Sequence, residues 1–217
     1  MVAIDNVASV SPRLPQEGTH AGSIILLSIL LSALLVVASL SVAVDGNGWN
    51  LAADMVSRLS LLLFVAMMVV EPLSRLVPNR FTAAAAQDRW GLVLGFVAAA
   101  AMSLICIAAP AQLGGARLAA PTIAYCVLSA AILAVLLFVT HPATRRHFGG
   151  PAWRAMQRVA ASYFWLAFLL TGIERTVGPH RPDDWHGFSL LLLTAALLLR
   201  FADAFRAHRS ALAEKVA

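Results

Sequence analysis

Three groups of residues carry what chemistry this chain could perform. Asp54/Arg58 and Glu71/Arg75 each stand four residues apart, a spacing that puts acid and base on one helix face. Both pairs lie in an apolar run, where a charge is normally paired or turned toward the protein interior. Asp54 is therefore the expected local partner of Arg58. The second group is His180-x-x-Asp183-Asp184-x-His186. Imidazoles and carboxylates are metal-ligand types, which makes His180, Asp183 and His186 the metal candidates. Their spacing matches no metal motif, and Pro179 precedes the set while Pro182 lies within it, so a solvated polar loop is the plainer reading. The third group is the basic stretch Arg145, Arg146, Arg154 and Arg158 around Gly149-Gly150-Pro151, with Gln157 one turn into the apolar run that follows. These arginines could contact an acidic partner or anionic lipid headgroups, although membrane orientation alone accounts for them.

The rest of the reactive inventory is sparse. The six histidines are His20, His141, His147, His180, His186 and His208, and none falls in the middle of an apolar run. Cys106 and Cys126 form no CxxC pair and read as inert buried thiols. Met102 and Met156 read as core filling. No nucleophile–base pair, phosphate loop or HExxH zinc motif is present, and no soluble flavin or nicotinamide domain is recognisable.

The elements that must hold these residues are membrane spans. The chain has 217 residues, 60% hydrophobic and only 12% charged, against about 25% charged in an ordinary soluble domain. A run of about 20 apolar residues crosses a ~30 Å hydrocarbon core. Six such runs lie at about 22–44, 51–77, 90–110, 118–140, 153–173 and 186–205. Residues 1–21 read as a disordered polar lead and 207–217 as a basic tail. Asp45-Gly46-Asn47-Gly48 reads as a turn, 78–89 as a polar connector and Pro110 as the end of the third run. Gly91, Gly95 and Ala99 form a stripe of small residues that lets helices approach closely. The expected fold is an all-α integral membrane bundle of six transmembrane helices.

Charge gives the orientation. With six spans, twelve of the sixteen basic residues fall on the side of the termini, and Arg58, Arg117, Arg175 and Arg181 fall on the other. That bias makes both termini cytoplasmic. The sequence pI of about 10.2 does not indicate nucleic acid, because the basic residues lie between apolar runs rather than on one polar face. The bilayer is the expected partner. One lysine among sixteen basic residues, with abundant Ala and Leu, points to a GC-rich bacterial genome and hence to the bacterial inner membrane.

The punctuation Gly150-x-x-Trp153-x-x-Met156-Gln157-Arg158-Val159, together with Glu71-Pro72-Leu73-Ser74-Arg75 and Asp88-Arg89-Trp90-Gly91-Leu92, resembles the ferric-reductase-like transmembrane family, in particular its heme-binding membrane subunits of methionine sulfoxide reductase systems. Their fifth helix opens roughly Leu-Gly-x-x-Trp-x-x-Leu-His-Arg-Leu, and Gly150, Trp153, Met156, Arg158 and Val159 fall in step with it. Glu71-Pro72-Leu73-Ser74-Arg75 resembles the Thr-Pro-Leu-x-Arg end of the family's second helix. Asp88-Arg89-Trp90-Gly91-Leu92 resembles the start of its third. The likeness covers about residues 51–200.

The resemblance implies a bundle that holds b-type heme through axial histidines and passes electrons to a periplasmic partner. Low-spin heme needs two strong-field axial ligands. The positions that correspond to the family's ligands hold Ala101 (or Met102), Gln157 and Thr171 (or Leu170). Arg58 corresponds to a residue that could face a heme propionate. The expectation is a degenerate member without heme, acting as a membrane subunit or scaffold for a partner protein and not catalytic alone. Two alternatives stay open: a b-heme electron-transfer subunit with unusual ligation serving a periplasmic oxidoreductase, and a lipid- or small-molecule-binding protein using the former heme cleft. The run Ala98–Ala101 argues against a persistent cleft, because small side chains let helices close.

Overall fold

The computed structural model describes residues 21–43, 47–114, 117–140, 142–177 and 184–216. The regular elements are α1 (Ala21–Val42), α2 (Gly48–Leu76), α3 (Arg80–Gln87), α4 (Arg89–Gly114), α5 (Ala120–Thr140), α6 (Pro142–Val177) and α7 (Asp184–Val216), with no strand among the described residues. Five helices, α1, α2, α4, α5 and α7, are long and apolar enough to cross a membrane. The protein is an all-helical, multi-pass membrane protein. Residues 1–20 of the expected lead, the turn at residues 45 and 46, His141, His180 and Asp183 lie outside the described residues, while Ala21 opens α1.

α2 is the hub and packs against α1, α4 and α7. Contacts of α4 with α5, α5 with α6, and α6 with α7 close a ring through α2, and α1 lies outside that ring in the α2–α4 groove. The polarity of α1 is inverted relative to a soluble helix. Ser28, Ser32 and Ser39 are buried, while Leu27, Leu34 and Val37 are exposed. Lipid solvates the leucines, and each inward hydroxyl must find an acceptor. Ser28 Oγ donates to the Ile24 carbonyl at 2.8 Å and Ser32 Oγ to the Ser28 carbonyl at 2.7 Å.

The small-residue stripe of α4 faces this helix. A Cβ on Gly91 would lie 2.8 Å from Ala21 Cα, and one on Gly95 would lie 2.6 Å from Ser28 Oγ. The glycines therefore set the α1–α4 distance rather than closing the ring. The ring interior is closed by aromatic side chains. Phe64 of α2 and Phe96 of α4 are fully buried, with centroids 5.4 Å apart. Phe96 stands edge-on to Phe164 at 5.1 Å, and Phe168 meets Phe64 at 5.6 Å. Tilted and edge-to-face pairs at these separations are favourable for aromatic rings.

Four boundaries differ from the sequence reading. The polar connector contains α3, whose start is a capping box: Asn79 Oδ1 accepts from the Thr82 amide at 2.8 Å, and the Asn79 amide donates to Thr82 Oγ1 at 3.1 Å. Pro110 does not end α4, which runs four residues further; in an apolar bundle neighbouring groups compensate for a missing helix bond. Gly149-Gly150-Pro151 does not break the chain either. α6 is continuous over 36 residues, about 54 Å at 1.5 Å per residue. Pro142 sits at its first position, where a proline lacks nothing. Buried Thr144 donates to the Phe138 carbonyl at 2.7 Å and fixes the corner with α5. Finally, the basic tail continues α7 as far as Val216.

Candidate functional site

The clearest concave site lies where α2 begins, α6 ends and α7 begins. Its centre is Asp54, nearly two turns inside α2. Arg58, one turn further along the same face, donates from Nε at 2.9 Å and from Nη2 at 2.7 Å to Asp54 Oδ2. Arg175, in the last turn of α6, donates from Nη1 to Asp54 Oδ1 at 2.6 Å. One carboxylate is thus clamped by two guanidiniums from different helices, each through charge-assisted bonds. Arg58 also lies over the Trp185 ring at 5.4 Å, a cation–π contact.

Ser57, Thr171, His186 and Ser189 complete the wall of a cleft of about 50 Å³. Gly172 gives the α6–α7 approach, since a Cβ there would lie 2.9 Å from Leu190 Cδ2. The serine and threonine hydroxyls donate locally: Ser57 to the Asp54 carbonyl, Thr171 to the Ala167 carbonyl and Ser189 to the His186 carbonyl. A narrower crevice of about 30 Å³ continues inward past Ser57 and Phe168, lined by Ser60, Ser103, Tyr125 and Ser129. Tyr163 and Ser129 hydrogen-bond at 2.8 Å near it.

A second charge network lies toward the other end of α2. Glu71 accepts from Arg75 at 2.5 Å and from Arg89 of α4 at 2.6 Å. Arg75 also reaches Asp203 of α7 at 3.2 Å, so that network ties α2, α4 and α7 together. Both i,i+4 pairs read from the sequence form. Their distant partners, Arg175, Arg89 and Asp203, gave no sequence signal, because helix order alone brings them near.

The other sequence candidates scatter. Ala101 is half-buried on α4, one residue past Ala100, which packs in the core. Gln157 is half-buried on α6. Thr171 borders the cleft described above, and Leu170 is 57% exposed on the outer surface. Of the proposed metal set, only His186 is described, and no group of three metal-ligating side chains occurs among the described residues. Arg145, Arg146 and Arg154 lie in the helical backbone of α6, with side chains outside the described residues, and Arg158 is exposed. Cys106 and Cys126 are free thiols.

A heme would need imidazoles facing a flat gap between helices. Ala101, Gln157 and Thr171 supply no such ligand, and Phe64, Phe96, Phe164 and Phe168 fill the space between α2, α4 and α6. The two clefts hold a few waters at most, far below the roughly 300–1,000 Å³ of an ordinary small-molecule pocket. Among the described residues, the side chains between α2, α4 and α6 do not fit that group. Comparison with known protein families, with curated proteins and with solved structures finds no match for this chain.

Proposed function

We propose that this chain is a ferric-reductase-like membrane subunit that carries no heme and serves as a scaffold for a partner protein. It lies in the bacterial inner membrane with both termini cytoplasmic and α6 as a sixth span. The observation that carries the heme-free part is the phenylalanine cluster, which occupies the space a macrocycle would need. The scaffold part is supported by the basic half of α6. A helix of about 54 Å exceeds a ~30 Å hydrocarbon core, so α6 has length left over to meet a partner.

Support for α6 as a span comes from its neighbours. Trp165 Nε1 donates to the Leu193 carbonyl at 3.3 Å, and Leu193 is fully buried near the middle of the apolar part of α7. That bond supports reading α6 as a helix that crosses.

The test is an absorption spectrum of detergent-purified protein, oxidised and then dithionite-reduced, after expression with ample heme and with pyridine-hemochrome quantification. The expected spectrum is featureless above the protein band. A Soret band with sharp reduced α-bands at stoichiometric heme would overturn the reading in favour of electron transfer.

A further inference from the structure

We propose that the Asp54 cleft binds a single oxyanion, the phosphate or carboxylate of a small solute or of a lipid headgroup. Arg58 and Arg175 each bring a permanent positive charge, whereas among the described residues Asp54 is the only carboxylate lining the cleft. The other described acids at this end, Glu174 and Asp184, are exposed and do not line it.

Geometry selects the sign of the ligand. Both oxygens of Asp54 already accept from guanidiniums, one each. A cation entering the cleft would meet two arginines and a carboxylate with both oxygens engaged. An anion would meet donors. Arg175 is half exposed and spends one nitrogen, Nη1, on Asp54, while a guanidinium has five N–H donors in a planar fork suited to carboxylate and phosphate. His186 offers a ring N–H in either tautomer. The cleft also opens beside the first turn of α7, where Trp185 and His186 sit, and the positive end of a helix dipole favours an anion there.

Size sets the class. About 50 Å³ admits one phosphate or carboxylate group and excludes a whole nucleotide or sugar. Any larger ligand would lie mostly outside, along the membrane surface. The inference concerns the polar end of the bundle and stands whether or not the interior holds a cofactor.

The test titrates the purified full chain with inorganic phosphate in zwitterionic detergent, against chloride at constant ionic strength, following tryptophan emission and the thermal midpoint. A parallel series compares phosphatidylcholine nanodiscs with and without phosphatidylglycerol. The expected result is a saturable response whose emission part disappears in Trp185→Phe. It should weaken at least about tenfold in Arg175→Gln, the loss of a charge-assisted donor pair, and remain in Arg80→Gln, a change on exposed α3. Arg175→Lys, which keeps the charge without the fork, should fall between and serves if Arg175→Gln does not fold. A response to phosphate alone assigns a soluble oxyanion, and a response to phosphatidylglycerol alone assigns a headgroup; either supports the site. No saturable response to either, or one unchanged in both Arg175→Gln and Arg58→Gln, overturns it.

Discussion

Asp54 is the residue on which this end of the molecule depends, because it is the one carboxylate between two fixed positive charges. Its side chain is 19% exposed, against 24% for Arg58 and 50% for Arg175. Removing one partner of a fully buried pair costs about 3–5 kcal/mol, while exposed pairs contribute under about 1. For this half-wet cluster, Asp54→Asn should cost about 1–3 kcal/mol, since it turns two attractions into a repulsion between neighbouring guanidiniums. Arg175→Gln should cost less, because Asp54 keeps Arg58. Thermal unfolding in one detergent checks the order, and equal losses in both variants would contradict it. Half of this cluster was legible in the sequence. The i,i+4 spacing of Asp54 and Arg58 is a local rule of helix geometry, so it reads directly. Arg175 is 121 residues away, and nothing in its own neighbourhood announces the contact. The same limit hid Arg89 and Asp203 from Glu71 and Arg75. His186 was read as a metal candidate on local spacing; in the fold it lines the same cleft as Arg58 and Arg175.

The helices were mostly legible because an apolar run of the right length reads the same way wherever it packs. Their ends were less so. α3 is only eight residues long, too short to show periodicity, although Asn79 and Thr82 carry the spacing of a capping box. The fifth run was read as starting at 153, yet Gly149-Gly150-Pro151 lies inside α6. Gly and Pro cost about 1 and 3 kcal/mol in a helix interior, but such penalties rank alternatives only when another conformation competes. The anchored corner at Thr144 and the helix formers on either side favour continuing. The glycine stripe of α4 was read correctly as a close-approach surface, but its partner was not; the stripe receives α1. Gly91→Ala should therefore destabilise the α1–α4 contact by about 1–3 kcal/mol, as overpacking does, because the added carbon meets the Ala21 backbone, which cannot rotate away. Gly22→Ala, with open space around its Cβ, should be neutral or gain up to about 1 kcal/mol of helix propensity. Protease release of the N-terminal helix, compared between the two variants, separates them. Equal release would mean that α1 is not held by this stripe.

At the scale of the whole molecule, two charged ends enclose an aromatic middle. The Asp54 cluster ties α2 to α6 near one end of the bundle. The Glu71 network ties α2 to α4 and α7 near the other. Between them the phenylalanines of α2, α4 and α6 fill the ring, and there the driving force differs from that of a soluble core: lipid tails solvate a phenyl ring as well as a protein interior does, so association rests on close packing rather than on expelling water. This arrangement bears on how many times the chain crosses. Five helices are apolar enough by composition alone, and five crossings would leave the termini on opposite faces. α6 falls outside that set because its sequence is half basic stretch and half apolar span. Yet the apolar half packs between α5 and α7, through Tyr163 to Ser129 and Trp165 to the Leu193 carbonyl. If α6 lay on the membrane surface, those two bonds would have to break and Phe164 and Phe168 would leave the ring. Six crossings keep all of them and put the basic tail of α7 on the same side as the basic half of α6, in line with the charge bias. Fusing a fluorescent reporter that matures only in the cytoplasm, and separately a phosphatase active only outside it, to each terminus in turn measures the parity directly. The expected result is fluorescence at both ends and phosphatase activity at neither. Opposite readings at the two ends would remove α6 from the spans, and with it the packing that holds Arg175 against Asp54.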